Sequence, residues 1–105
     1  MTLAQLKSVL DGTGIPVTYR TWEIGHVPPM PYICFLATGS DNFAADGIVY
    51  HSNTHVNVEL YMESIDESVM REVQDAMDAA GIYWESDIFY LDTERCYQII
   101  YECEV

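Results

Sequence analysis

His55-Val56-Asn57-Val58-Glu59-Leu60-Tyr61-Met62 alternates polar and apolar side chains without a break. In an extended chain successive side chains point to opposite faces, so Val56, Val58, Leu60 and Met62 share one face and His55, Asn57, Glu59 and Tyr61 the other. The period then changes. Val69, Val73, Ala76, Met77 and Ala80 recur at helical spacing, and a strand pattern giving way to a helix pattern marks a sheet with a helix laid on it. Ser64-Ile65-Asp66-Glu67 reads as a capping box at the start of this helix, with Asp66 as a rival N-cap. Gly81 is the expected residue just past its end. Asp66 and Glu67 in the first turn suit the helix dipole.

Working outward, Ile82-Tyr83-Trp84 opens a further strand region reaching about Leu91, and Asp92-Thr93-Glu94-Arg95 is a polar turn. Cys96 to Val105 alternates again. Tyr97, Ile99, Tyr101, Cys103 and Val105 make one face, and Cys96, Gln98, Ile100, Glu102 and Glu104 the other, so the chain ends in a hairpin. Towards the N-terminus, Thr2-Leu3-Ala4-Gln5 fits a capping box for a short helix with Leu3, Leu6 and Leu10 as its apolar stripe, stopped by Gly12 and Gly14. Pro16 to Trp22 is rich in β-branched and aromatic residues and is expected as a first strand. Gly25 to Pro31 holds three of the four prolines and is a loop. Tyr32 to Ala37 is apolar throughout, as in a strand buried on both faces. Thr38 to Gly47 is polar and reads as turn-like, with Ile48-Val49-Tyr50 resuming the apolar pattern. The order is α-β-β-β-α-β-β. It predicts a single α+β domain over residues 1–105: a mostly antiparallel sheet with one short N-terminal helix and one longer helix packed on a face.

Composition narrows function more by exclusion than by assignment. The chain has 105 residues, half of them hydrophobic, enough for one core. Seventeen acidic residues against four basic ones give a formal charge of −13, a field that repels phosphate backbones and anionic membrane surfaces. No apolar run reaches the roughly 18 residues that cross a bilayer, and Met1 to Leu10 lacks the basic start and apolar core of a signal peptide. Cys34, Cys96 and Cys103 form no C-x-x-C pair, and an odd count without a secretion signal predicts reduced thiols. Cys34 stands in an apolar run and is expected as a small core residue. His51 and His55 are four residues apart. On a helix that spacing could hold a metal, but Ser52-Asn53-Thr54 disfavours a helix, and on a strand it spans about 13 Å, too far for one ion. Asp66, Glu67, Glu72, Asp75 and Asp78 read as a solvated helix face or as a surface for a basic partner. Asp41 to Gly47 lacks the alternating carboxylates of a calcium loop. There is no phosphate-binding glycine loop and no G-x-S-x-G elbow. The reading therefore assigns no catalytic, cofactor-binding or metal-ligating residue and expects no enzymatic activity.

Several stretches taken in order resemble the tail-terminator, or head–tail joining, proteins of long-tailed phages and prophages. They are Gly14-Ile15-Pro16-Val17-Thr18-Tyr19, Pro28-Pro29-Met30-Pro31-Tyr32-Ile33 and Ser40-Asp41-Asn42-Phe43-Ala44-Ala45-Asp46. Val58-Glu59-Leu60-Tyr61, Gly81-Ile82-Tyr83 and Tyr97-Gln98-Ile99-Ile100-Tyr101-Glu102 follow. Met30, inserted between prolines, departs from the Pro-Pro-Tyr expected there. The resemblance implies a sheet flanked by helices and a structural role in virion assembly. Six copies would form a ring at the head-proximal end of the tail tube, stop tube growth and meet the head connector, with DNA passing through the hole. It implies the protein itself, the tube protein and the connector as partners, and a place in the virion after assembly in the host cytoplasm. No specific nucleic-acid contact, membrane contact or cofactor is expected. A negative inner wall would let DNA pass without being gripped. The competing reading is a small acidic inhibitor or DNA mimic that blocks a basic site on a host protein.

Overall fold

The computed structural model describes residues 1–45 and 48–105, with side chains described for residues 1–40 and 53–105. Its elements are α1 (Leu3–Asp11), β1 (Val17–Tyr19), β2 (Tyr32–Ala45), β3 (Ile48–Met62), α2 (Glu67–Ala79), β4 (Trp84–Leu91) and β5 (Cys96–Glu104). The expected α-β-β-β-α-β-β order and α+β class are present. The five strands form one sheet in the order β1-β2-β3-β5-β4. Only β1 and β2 run parallel; β2–β3, β3–β5 and β4–β5 are antiparallel.

Register carries the alternation of single strands across the sheet. Ile33 stands opposite Leu60, which stands opposite Ile99; Phe35, Val58 and Tyr101 form the next row. All six are at most 2% exposed. Leu6 and Leu10 of α1 and Val73 and Met77 of α2 close over these rows, so both helices cover the same sheet face. Two side-chain bonds fix α2 on the sheet: Trp84 Nε1 donates to Asp78 Oδ1 at 2.8 Å, and Gln74 Nε2 donates to the Tyr101 hydroxyl at 3.3 Å. Trp84 also meets Tyr101 edge to face, ring centres 5.3 Å apart.

The helix ends follow local chemistry. Thr2 and Gln5 form the expected capping box, exchanging bonds of 3.1 and 2.8 Å. At α2 the expected Ser64 box does not form. Asp66 is the cap, accepting from Ser68 N and Val69 N, because the helix begins at Glu67 and Ser64 lies two residues before the cap position. Gly81 takes φ 73° just past α2, a conformation that a side chain resists.

Two further expectations are revised. The first strand is only Val17–Tyr19, not Pro16 to Trp22, because Arg20 takes φ 68° and turns the chain away from extended geometry. Trp22 is thereby freed to fold back over the sheet. The segment from Thr38, expected as a turn, continues β2 to Ala45, paired with β3 from His55 back to Ile48. Backbone pairing holds this polar stretch extended, and the shift between Ala37 and Gly39 absorbs one residue of mismatch. The tip of the expected turn, residues 46 and 47, lies outside the described residues. Glu59, on the polar face of β3, is half-buried and accepts from the Tyr61 hydroxyl at 3.0 Å.

Candidate functional site

Among the described residues, no helix covers the second sheet face. Its rows run Tyr32–Tyr61–Gln98–Phe89, Cys34–Glu59–Ile100–Asp87 and Leu36–Asn57–Glu102–Glu85. Part of it is roofed by the loop after β1, and the rest is open.

Under the roof lies a cleft lined by Arg20, Trp22, Met30, Tyr32, Cys34, Tyr61, Glu94 and Cys96, among others. Trp22 meets Tyr32 edge to face at 5.8 Å, and Tyr32 leans on Tyr61 at 5.1 Å. This cover explains how Ile33, Cys34 and Phe35 are buried in succession, as expected for a strand covered on both faces. Gln98 Nε2 donates to the Tyr61 hydroxyl at 2.9 Å, and that hydroxyl donates on to Glu59. Burial and the neighbouring Glu59 carboxylate push the Tyr61 phenol far above its usual value. Burial pushes the Cys34 thiol up to about 11; Glu59 adds to this, and the Trp22 indole works against it. Burial, then Glu94, raises Cys96. These thiols are therefore protonated at neutral pH and are poor nucleophiles. The cleft sets protonated thiols and a phenol beside aromatic rings, with Arg20 and Glu94 also in its lining.

The open part is acidic. Glu85 stands directly opposite Glu102 on adjacent strands, and Asp87 lies one strand beyond Ile100 from Glu59. Glu104 stands opposite His55, whose Nδ1 lies 3.4 Å from Glu104 Oε1. Like charges directly opposite destabilise a sheet, so the Glu85–Glu102 pair costs stability. A second cleft, lined by Asn53, His55, Tyr83, Glu85, Glu102 and Glu104, opens beside it.

No protein-family model matches the chain, and no curated protein matches it.

Residues singled out from the sequence are scattered. Cys34, Cys96 and Cys103 are buried and unbridged. The register puts Cys96 on the helix-free face and Cys103 on the helix-covered one, as their odd spacing predicts. His26 is an exposed loop residue. His51 and His55 both fall within β3, where extended backbone separates them; the His51 side chain lies outside the described residues. Among the described residues, no helix is long and apolar enough to cross a membrane. The acidic sheet face was missed in sequence. Its carboxylates come from β3, β4 and β5, and only the strand order β3-β5-β4 makes them neighbours. The polar positions of each alternating strand were the one available signal.

Proposed function

We propose that this protein is a structural assembly protein that forms a ring, six copies round, at the head-proximal end of a phage tail tube. There it halts tube growth and joins the head connector. The observation that carries the reading is the helix-free sheet face bearing Glu59, Glu85, Asp87, Glu102 and Glu104. A sheet that tolerates Glu85 against Glu102 gains from a negative surface something that offsets the repulsion. As the wall of a channel, such a face passes DNA without holding it, because holding requires cations that displace the counterions of phosphate. The α-β-β-β-α-β-β order supports the same reading, since the tail-terminator resemblance implies a sheet flanked by helices.

The same carboxylates favour a second reading, an acidic inhibitor or DNA mimic seated on a basic site. Self-assembly separates the two. Electron microscopy of the purified protein with cognate tail tubes should show a cap with a central hole at one tube end. Absence of any cap across a range of ionic strength would sink the tail reading. Stoichiometric capture of one basic host protein by a species that never caps tubes would favour the mimic.

A further inference from the structure

The two edges of the sheet are built differently. The β1 edge is blunted. It is three residues long, begins after Pro16 and ends at Arg20 in a left-handed conformation. Thr21 N already donates to Tyr19 O at 2.9 Å, closing one of its acceptors. These are the devices by which edges avoid pairing. The β4 edge has neither the shortness, the proline nor the left-handed turn, and carries only the carboxylates of Glu85 and Asp87 as guards. It runs eight residues with no proline or glycine, and Ile88, Phe89 and Tyr90 are 53%, 47% and 50% exposed.

The hydrogen-bond alternation identifies which β4 groups face outward. Thr54 and Val105 exchange both backbone bonds at 2.9 Å. In an antiparallel ladder such pairs alternate, so Cys103, Tyr101, Ile99 and Tyr97 bond towards β3, and Glu102, Ile100, Gln98 and Cys96 bond towards β4. Their partners Glu85, Asp87, Phe89 and Leu91 bond inward. Trp84, Ser86, Ile88 and Tyr90 therefore aim their N–H and C=O groups out of the sheet.

We propose that this edge pairs with β4 of a second copy, antiparallel about a two-fold axis at Ile88, to make one ten-stranded sheet. Outward groups must meet outward groups, which leaves few registers. Centring the axis on Asp87 sets Asp87 against itself. Centring it on Ser86 sets Glu85 against Asp87. Centring it on Ile88 places Ile88 on Ile88, Ser86 on Tyr90, Asp87 on Phe89 and Glu85 on Leu91. Among registers using nearly the whole strand, this one puts every carboxylate opposite an apolar side chain and avoids facing like charges. It also covers the three exposed apolar residues. The strand's own sequence is thus complementary to itself, which is why the occupant is a second copy. The inference goes beyond the tail reading and does not rest on it: a two-fold contact closes on itself, so it belongs to the free protein and not to a six-fold ring.

The test is sedimentation equilibrium near 0.15 M salt, where screening limits repulsion between two acidic chains to about 8 Å. The expected mass is twice 12.0 kDa. Ile88→Pro removes only an outward N–H, so it should keep the native circular dichroism and weaken the dimer about tenfold or more. Ile88→Cys places two thiols at backbones about 5.5 Å apart, within disulfide reach, and oxidised glutathione should cross-link it. Phe89→Cys, opposite Asp87, should not cross-link. A protein monomeric at every concentration overturns the proposal. So does a dimer that survives Ile88→Pro, or one that Ile88→Cys fails to link. Caps on tail tubes from a monomeric protein would sink this proposal alone, and a dimer that never caps tubes would sink only the tail reading.

Discussion

Leu60→Ala tests the register on which the sheet's two faces depend. Leu60 is 0% exposed, sits between Ile33 and Ile99 on neighbouring strands, and faces the helices. The change removes three carbons, worth about 2.4 kcal/mol at roughly 0.8 kcal/mol each. Rigid neighbours on both strands and the helices above limit collapse, and a residual cavity adds up to about 2 kcal/mol at roughly 24 cal/mol per Å³. The expected loss is therefore about 3–4 kcal/mol. In a domain of this size it lowers the melting temperature by roughly 12–25 °C. Glu59→Ala, one residue away on the other face, gives up the Tyr61 hydrogen bond. Its expected cost is about 1 kcal/mol. Urea unfolding of both variants, fitted with a common m-value, makes the comparison. Equal losses, or a Leu60→Ala loss below about 1 kcal/mol, would refute the assigned faces.

The thiols should titrate as none in the native protein at pH 7.5 and three in denaturant; rapid labelling of any thiol at neutral pH would contradict the burial of all three. Cys34 and Cys103 are raised from 9.0 to about 11, so the stability they contribute as neutral thiols is complete below pH 9 and is lost as pH rises through about 11. Urea midpoints that stay constant across that range in the native protein, after allowance for other groups by a Cys34→Ala/Cys103→Ala control, would count against it. Asp66→Ala should lower the urea midpoint and Asp66→Ser should restore most of it, because either oxygen caps Ser68 and Val69. Bonds from Ser68 and Val69 hold the Asp66 carboxyl below its ordinary value. Its contribution is thus present above the ordinary carboxylate range and fades as the pH falls below it. A gap between Asp66→Ala and the native protein that persists at strongly acid pH would show that the cap is not the cause.

Much of the fold was legible because its signals are local. The alternation of residues 55–62 and 96–105 reflects strands with one oily face and one wet one, and the side-chain period of two is a property of the extended backbone itself. The Val69–Ala80 stripe and Gly81 are equally local. The errors lie where local preference and pairing disagree. Thr38, Gly39, Ser40, Asp41 and Asn42 have the composition of a turn, yet the β3 backbone pairs with Gly39 through Asn42, bulges past Thr38, and holds the stretch extended. Ser64 and Asp66 both offer a capping oxygen, and only the entry of the chain into α2 chooses Asp66. Trp22 fitted the alternation of its segment, but Arg20 turns it out of β1 to roof Cys34 and Tyr32.

By itself the sequence determined the elements, their order and the inward side of each regular strand, because those follow from periodicity and from residues that start and stop helices. The tertiary structure alone decided that β5 lies between β3 and β4, and that β1 pairs parallel to β2. Those two choices rest on contacts between residues far apart in the chain, which no periodicity within one segment records. They assemble Glu59, Glu85, Asp87 and Glu102 on one helix-free face, and they leave the long β4 on an edge guarded only by its carboxylates, while β1 blunts the other.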